Sequence, residues 1–179
     1  RGSDDFIQHP RVPRSLTVIG AGVIGLEYAT IFSALDVPVT LIEPRERLLE
    51  FMDDEIIDHL IHLMRDRGMQ LRLSSEIAQV RFAADGSPVC VLKDGRQAAS
   101  ELMLFTAGRM GATDALNLEA CGLSADSRGR LKVDPLTGRT GVPHIYAAGD
   151  VIGFPSLAST SMVGTAASAL ETMHPLPVA

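Results

Sequence analysis

Tryptophan is absent, and 179 residues hold only six phenylalanines and two tyrosines. That scarcity removes the aromatic platforms on which single-stranded nucleic acids stack. Positive charge is also short. Lys and Arg number 16 against 22 Asp and Glu, for a formal net charge of -6. An acidic chain with scattered cations does not gather polyanions, so nucleic acid is not an expected partner. Cysteine occurs twice, at Cys90 and Cys121, with no CxxC pair. That spacing indicates neither a zinc site nor a local redox dithiol, and each cysteine reads as a buried free thiol. No apolar run is long enough to span a bilayer and no leader is recognisable, so no membrane partner is expected and the cytoplasm is the expected address.

What is present suits a globular core: 46% of the residues are hydrophobic, an ordinary fraction for a folded domain. Arg1-Gly2-Ser3 resembles an expression-vector remnant, and residues 1–14 read as a lead-in. From there the expected order is strand, helix, strand, helix, strand. Residues 16–19 form a short apolar run. A helix over 23–35 follows, with Val23, Leu26, Ile31, Phe32 and Leu35 as its apolar stripe. The next strand, 39–42, ends at Glu43. A second helix over 53–67 is capped by Asp53 and Asp54, carries Ile56, Ile57, Leu60, Ile61 and Met64, and stops at Gly68. A third strand covers 70–73. This alternation predicts an α/β fold with a Rossmann-like parallel sheet and right-handed crossovers.

Over 77–99 the helical period disappears. Asp85-Gly86 and Asp94-Gly95 punctuate β-branched segments, which predicts an inserted antiparallel β-meander and hence a three-layer fold. A buried strand over 101–105 leads into Thr106-Ala107-Gly108-Arg109. A last short strand is expected over 144–147, before Gly149-Asp150, and a helix over 156–173.

The chemistry-bearing feature is Gly20-Ala21-Gly22-Val23-Ile24-Gly25. A lone GxGxxG is weak. Here a strand precedes it, a helix follows it, and Glu43 ends the next strand about 20 residues on, the spacing of a dinucleotide fingerprint. Gly20 permits the tight turn, Gly22 admits a pyrophosphate close to the backbone, and Gly25 lets helix and sheet pack closely. Free amides at the helix tip receive the phosphates. Glu43 is placed to accept hydrogen bonds from ribose hydroxyls, which favours NAD. Arg45 and Arg47 would admit the 2′-phosphate of NADP, or are surface charge, and NAD against NADP stays open. His59 and His62 lie one helical turn apart without further ligands and read as solvent-facing.

Three segments together resemble the two-dinucleotide-binding flavoproteins, the family of dihydrolipoamide dehydrogenase, glutathione reductase and mercuric reductase. They are Gly20-Ala-Gly-Val-Ile-Gly-Leu-Glu27, Thr106-Ala-Gly-Arg109 and Thr140-Gly-Val-Pro-His-Ile-Tyr-Ala-Ala-Gly-Asp150. The resemblance covers about 13–162. It implies FAD and NAD or NADP as cofactors, nicotinamide dinucleotides as partners, and a homo-oligomeric parent. By the same resemblance Glu27 lies near the nicotinamide, Ala107 and Gly108 let backbone approach the dinucleotide, and Gly149 and Asp150 address the FAD. Residues 15–135 would then be the NAD(P)-binding domain and 136–179 part of an FAD domain, altered or truncated at its end. Arg45-Glu-Arg-Leu-Leu49 and Asp126-Ser-Arg-Gly-Arg130 resemble members that pass hydride between nicotinamide dinucleotides through the flavin. A disulfide reductase, or a nucleotide-binding module without turnover, is the alternative. With a single glycine fingerprint, the isolated chain is expected not to retain FAD. No residue reads as a catalytic acid, base or nucleophile.

Overall fold

The computed structural model describes residues 10–106, 108 and 110–153. The expected helix over 156–173 and the site residue Ala107 lie outside the described residues. The chain packs as two compact units, divided after Gly108.

Among the described residues, the helices and strands lie in the first unit. Strand β1 (Leu16–Ile19) leads into helix α1 (Val23–Ala34), then β2 (Val39–Ile42), α2 (Asp54–Asp66) and β3 (Gln70–Arg72). A meander follows, β4 (Ile77–Phe82), β5 (Pro88–Leu92) and β6 (Gln97–Ala99), before β7 (Leu102–Phe105). The parallel sheet has the order β3-β2-β1-β7, and β4-β5-β6 form a separate antiparallel sheet. Both Asp-Gly pairs turn hairpins. Gly86 and Gly95 take positive φ, and the Asp85 and Asp94 carboxylates accept from the amides of Ser87 and Arg96.

Alternation along the parallel strands creates the three layers. Leu16, Val18, Leu41 and Leu104 join Leu26, Ala29, Ile57 and Met64 of the helices in one core. Ile19, Ile42 and Met103 point the other way, into a second core with Cys90, Leu92 and Ala98 of the meander. Asp53 caps α2, its carboxylate accepting from the Glu55 amide at 2.9 Å.

Four expectations need correction. Helix α1 does not bury Val23, Ile31 or Leu35, which are exposed; its inner face is Gly25, Leu26, Ala29 and Ser33. Small residues at steps of four let the helix lie close to the sheet, so larger ones point outward. On α2, Ile56 is likewise exposed, while Ile57 and Met64 are buried. Cys121 is exposed; only Cys90 is buried. The strand expected over 144–147 reduces to one bridge, Arg139 to Tyr146. Its apolar residues find no longer partner strand, and a strand exists only through its neighbours.

The lead-in is tied to the sheet by Glu101. Its carboxylate accepts from the Arg14 amide at 2.7 Å and pairs with the guanidinium of Arg11. The Arg14 amide and the Arg11 guanidinium pull its pKa from 4.5 to about 2. A carboxyl that ionises more easily folded than unfolded stabilises fully above the unfolded pKa. That contribution fades as pH falls from about 4.5 through about 2. We expect Glu101→Gln to melt below the wild type at pH 7, with the gap narrowing steadily below pH 4.5. A gap that stays constant down to pH 2.5 would show that this ion pair does not stabilise the fold.

The described residues of the second unit are built of short turns. The Asp126 carboxylate accepts from the amides of Arg128 and Arg130, and Asp134 from those of Leu136 and Thr137. Two 3₁₀ turns, Leu118–Cys121 and Gly149–Ile152, lie among its described residues. Among the described residues no helix is long and apolar enough to cross a membrane, and no cluster of three potential metal ligands occurs.

Candidate functional site

The glycine turn stands at the carboxyl end of β1, where the chain must reverse into α1. Gly20 takes φ 96°, in the left-handed region that favours glycine. Its amide bonds to the Ile42 carbonyl at 2.9 Å, which locks the turn to β2. Gly22 is the N-cap of α1, at φ −70° and ψ 179°. The helix ladder opens with the Leu26 amide donating to the Gly22 carbonyl at 3.0 Å. The amides of Val23, Ile24 and Gly25 come earlier and project from the helix end by the geometry of any α-helix.

The two later glycines differ in kind. A Cβ on Gly25 would lie 2.0 Å from the Gly20 carbonyl oxygen and 2.6 Å from Thr106 Oγ1. A Cβ on Gly22 would meet no atom of the described residues beyond its own neighbours within 4 Å. Gly25 therefore answers a packing need inside the protein. Among the described residues, nothing in the backbone or packing requires glycine at Gly22, and the space above it is open.

Glu43 reaches back to this turn. It is 3% exposed, and its Oε2 accepts from the Ala21 amide at 2.6 Å. Arg45 grips the same carboxylate: its Nε donates to Oε1 at 2.8 Å, its Nη2 to Oε2 at 3.1 Å, and its amide to Oε1 at 3.1 Å. Burial pushes the Glu43 carboxyl up, but hydrogen bonds from Arg45 and the Ala21 amide outweigh it, and the net pKa lies below the ordinary value. Glu43 is thus a buried, ionised carboxylate that holds the turn.

The remaining candidates are spread out. Glu27 is exposed on α1, where its carbonyl accepts from the Thr30 hydroxyl. Arg47 turns to Asp54 in the first turn of α2, Nη2 to Oδ1 at 2.6 Å. Gly108 is exposed at φ 119°, and an added Cβ would meet nothing. His59 and His62 are exposed. In the second unit, Gly149 and Asp150 form the 3₁₀ turn beside a cavity of about 450 Å³, shared with Met110, Gly111, Leu116 and Arg130.

Two residues outside the glycine and acidic positions also hold the turn. Ala21 supplies the amide that anchors Glu43. Thr106 donates its hydroxyl to the carbonyls of Ile19 and Gly20, at 3.0 and 2.8 Å. The sequence signal for Thr106 is its place at the end of β7, next to β1 in the sheet.

The first unit has a Rossmann-type architecture, a parallel sheet under helices with an inserted antiparallel meander. The family described as pyridine nucleotide-disulphide oxidoreductase matches residues 2–168, and the chain belongs to it. It is 44% identical over 160 residues to a protein of Mycobacterium tuberculosis (strain ATCC 25177 / H37Ra) named soluble pyridine nucleotide transhydrogenase, covering 89% of this chain and 34% of that relative. A protein of the same name from Chromohalobacter salexigens is 47% identical over 174 residues, covering 90% of this chain and 37% of the relative. The chain thus spans about a third of the length of these relatives. Among solved structures, LpdA from Mycobacterium tuberculosis superposes with a TM-score of 0.84 at 28% identity, over 99% of this chain and 39% of LpdA. The flavoprotein disulfide reductase RclA from Escherichia coli, as a Cu(II) complex, gives 0.84 at 25% identity, over 97% of this chain and 39% of RclA.

Proposed function

We propose that this chain docks a nicotinamide dinucleotide, NAD or NADP, as the NAD(P)-binding segment of an FAD-dependent soluble pyridine nucleotide transhydrogenase of the cytoplasm. The open space above Gly22, at the positive end of α1, carries the reading. In this reading the amides of Gly22, Val23, Ile24 and Gly25 hold the pyrophosphate, and Glu43 addresses the adenine ribose. Arg45 or Arg47 would meet a 2′-phosphate. Glu27 lies near the nicotinamide, Gly108 lets backbone approach the dinucleotide, and Gly149 and Asp150 belong to the flavin's site. Bound flavin supplies the hydride chemistry. The residues of this chain supply binding and orientation, and none of them acts as acid, base or nucleophile. The names of relatives in two organisms support transhydrogenase as the parent activity.

A disulfide reductase is the second reading, favoured by the name of one structural neighbour. A paired redox-cysteine motif in the parent would decide for it. Cys90 does not serve that role, because it is buried and burial pushes its thiol pKa up.

Titration of the chain with NADH and NADPH tests the docking reading directly. We expect binding of both, and Glu43→Ala to weaken NADH by roughly 1–3 kcal/mol through lost charged hydrogen bonds. Undiminished NADH affinity in a folded Glu43→Ala chain would take Glu43 out of the ribose site.

A further inference from the structure

Resting on that docking reading, we propose that Arg45 is a latch on the ribose-recognition carboxylate. Its fork keeps Glu43 closed against the ribose hydroxyls of NADH and is handed over to the 2′-phosphate of NADPH. Arg45 would then set how one site divides itself between the two dinucleotides.

An ionised carboxylate offers about four lone-pair sites. Glu43 fills four: the Arg45 amide and Nε on Oε1, the Ala21 amide and Arg45 Nη2 on Oε2. A ribose diol donating to this carboxylate must therefore displace a donor. The Ala21 amide cannot leave without unmaking the glycine turn, and the Arg45 amide is main chain. The guanidinium is the group that can go. Its side chain is 46% exposed, against 4% for Glu43. Glu50 already attracts it, which gives the released cation a second anion to face.

NADPH poses the opposite problem. Its 2′-phosphate would arrive close to a buried carboxylate, and two like charges at that range repel. A guanidinium with five donors can bridge both anions, keeping one hydrogen bond to Glu43 and turning the others to phosphate. Arg47 pairs instead with Asp54, at 2.6 Å and largely exposed. A half-exposed ion pair is weak, so the latch should change NADH affinity only several-fold; losing the cation opposite a dianionic phosphate should do more.

The test is a calorimetric titration of the full chain with NADH and NADPH, for wild type, Arg45→Met and Arg45→Lys. In Arg45→Met we expect the NADH Kd to fall about three- to tenfold, as the binding-competent form no longer competes with a closed one. The NADPH Kd should rise at least about tenfold through the lost charged contact. Arg45→Lys, a point charge without the fork, should keep the NADH gain and lose less NADPH affinity. NADH binding that is unchanged or weaker in both folded variants overturns the latch while leaving the docking reading intact. A wild-type chain that binds neither dinucleotide removes the docking reading and the latch with it. Should Arg45→Met fail to fold, the lysine variant decides alone: a tighter NADH complex supports the latch, and an unchanged or weaker one overturns it.

Discussion

Gly25→Ala should destabilise the chain by about 3 kcal/mol or more, a large share of the stability of a domain this size. The added Cβ would stand 2.0 Å from the Gly20 carbonyl oxygen. That oxygen cannot yield easily. It accepts the Thr106 hydroxyl at 2.8 Å, and its own residue's amide is bonded to Ile42 in the neighbouring strand at 2.9 Å. The one side-chain atom among the added Cβ's three nearest neighbours is Thr106 Oγ1 at 2.6 Å, and turning it away would take that hydroxyl from the Gly20 carbonyl, while Ile19 keeps the Thr106 amide. Alanine in a helix returns roughly 1 kcal/mol over glycine. The steric term is the larger, because a contact at that distance must push α1 off the end of β1. Urea melts of the two proteins measure the difference. A Gly25→Ala chain with the wild-type midpoint and slope would show that the helix has slack to retreat, and the close-packing role of Gly25 would fail.

The places where the sequence is legible share a cause. Turn residues act locally, so Gly20, Asp53, Gly68, Asp85-Gly86 and Asp94-Gly95 announce their geometry without knowledge of the rest of the fold. Strand alternation and the change of period after β3 likewise yield the three layers. The parts that sequence reasoning misses depend on neighbours. Helix α1 is apolar on several sides, so period alone does not choose its buried face; Val23, Ile31 and Leu35 fit a stripe as well as Leu26 and Ala29 do. The choice is made by how near the sheet lies, which Gly25, Ala29 and Ser33 permit. The segment 144–147 is apolar enough for a strand but, among the described residues, forms a single bridge, Arg139 to Tyr146. In the site, the fingerprint locates Glu43 but not its grip on Ala21 or the fork from Arg45. Those contacts follow from the loop after β2 folding back, and no residue spacing encodes that bend.

Gly22 should separate binding from folding, and Gly22→Val is the variant to make. The backbone at Gly22 sits at φ −70° and ψ 179°, extended geometry that any residue adopts. A Cβ there touches no atom of the described residues beyond its own neighbours within 4 Å. Replacing glycine at an N-cap by an apolar residue costs about 0.5–1 kcal/mol of helix stability, which leaves a domain folded. The same methyl groups would stand over the amides of the helix tip, in the opening through which a diphosphate must come. Anion contacts to backbone donors are charge-assisted, at roughly 1.5–3 kcal/mol each. Losing one or two of them should lower affinity for NADH, NADPH and ADP-ribose alike, by about tenfold to several hundredfold. The equal loss across all three is the informative part. An effect confined to NADPH would point to the ribose end and away from the pyrophosphate, and Gly25→Ala, which harms the fold first, cannot mimic a folded protein that has lost its anion. Wild-type affinity in a folded Gly22→Val chain would mean that the dinucleotide does not approach α1 at its tip, and that the opening above Gly22 serves nothing the chain binds.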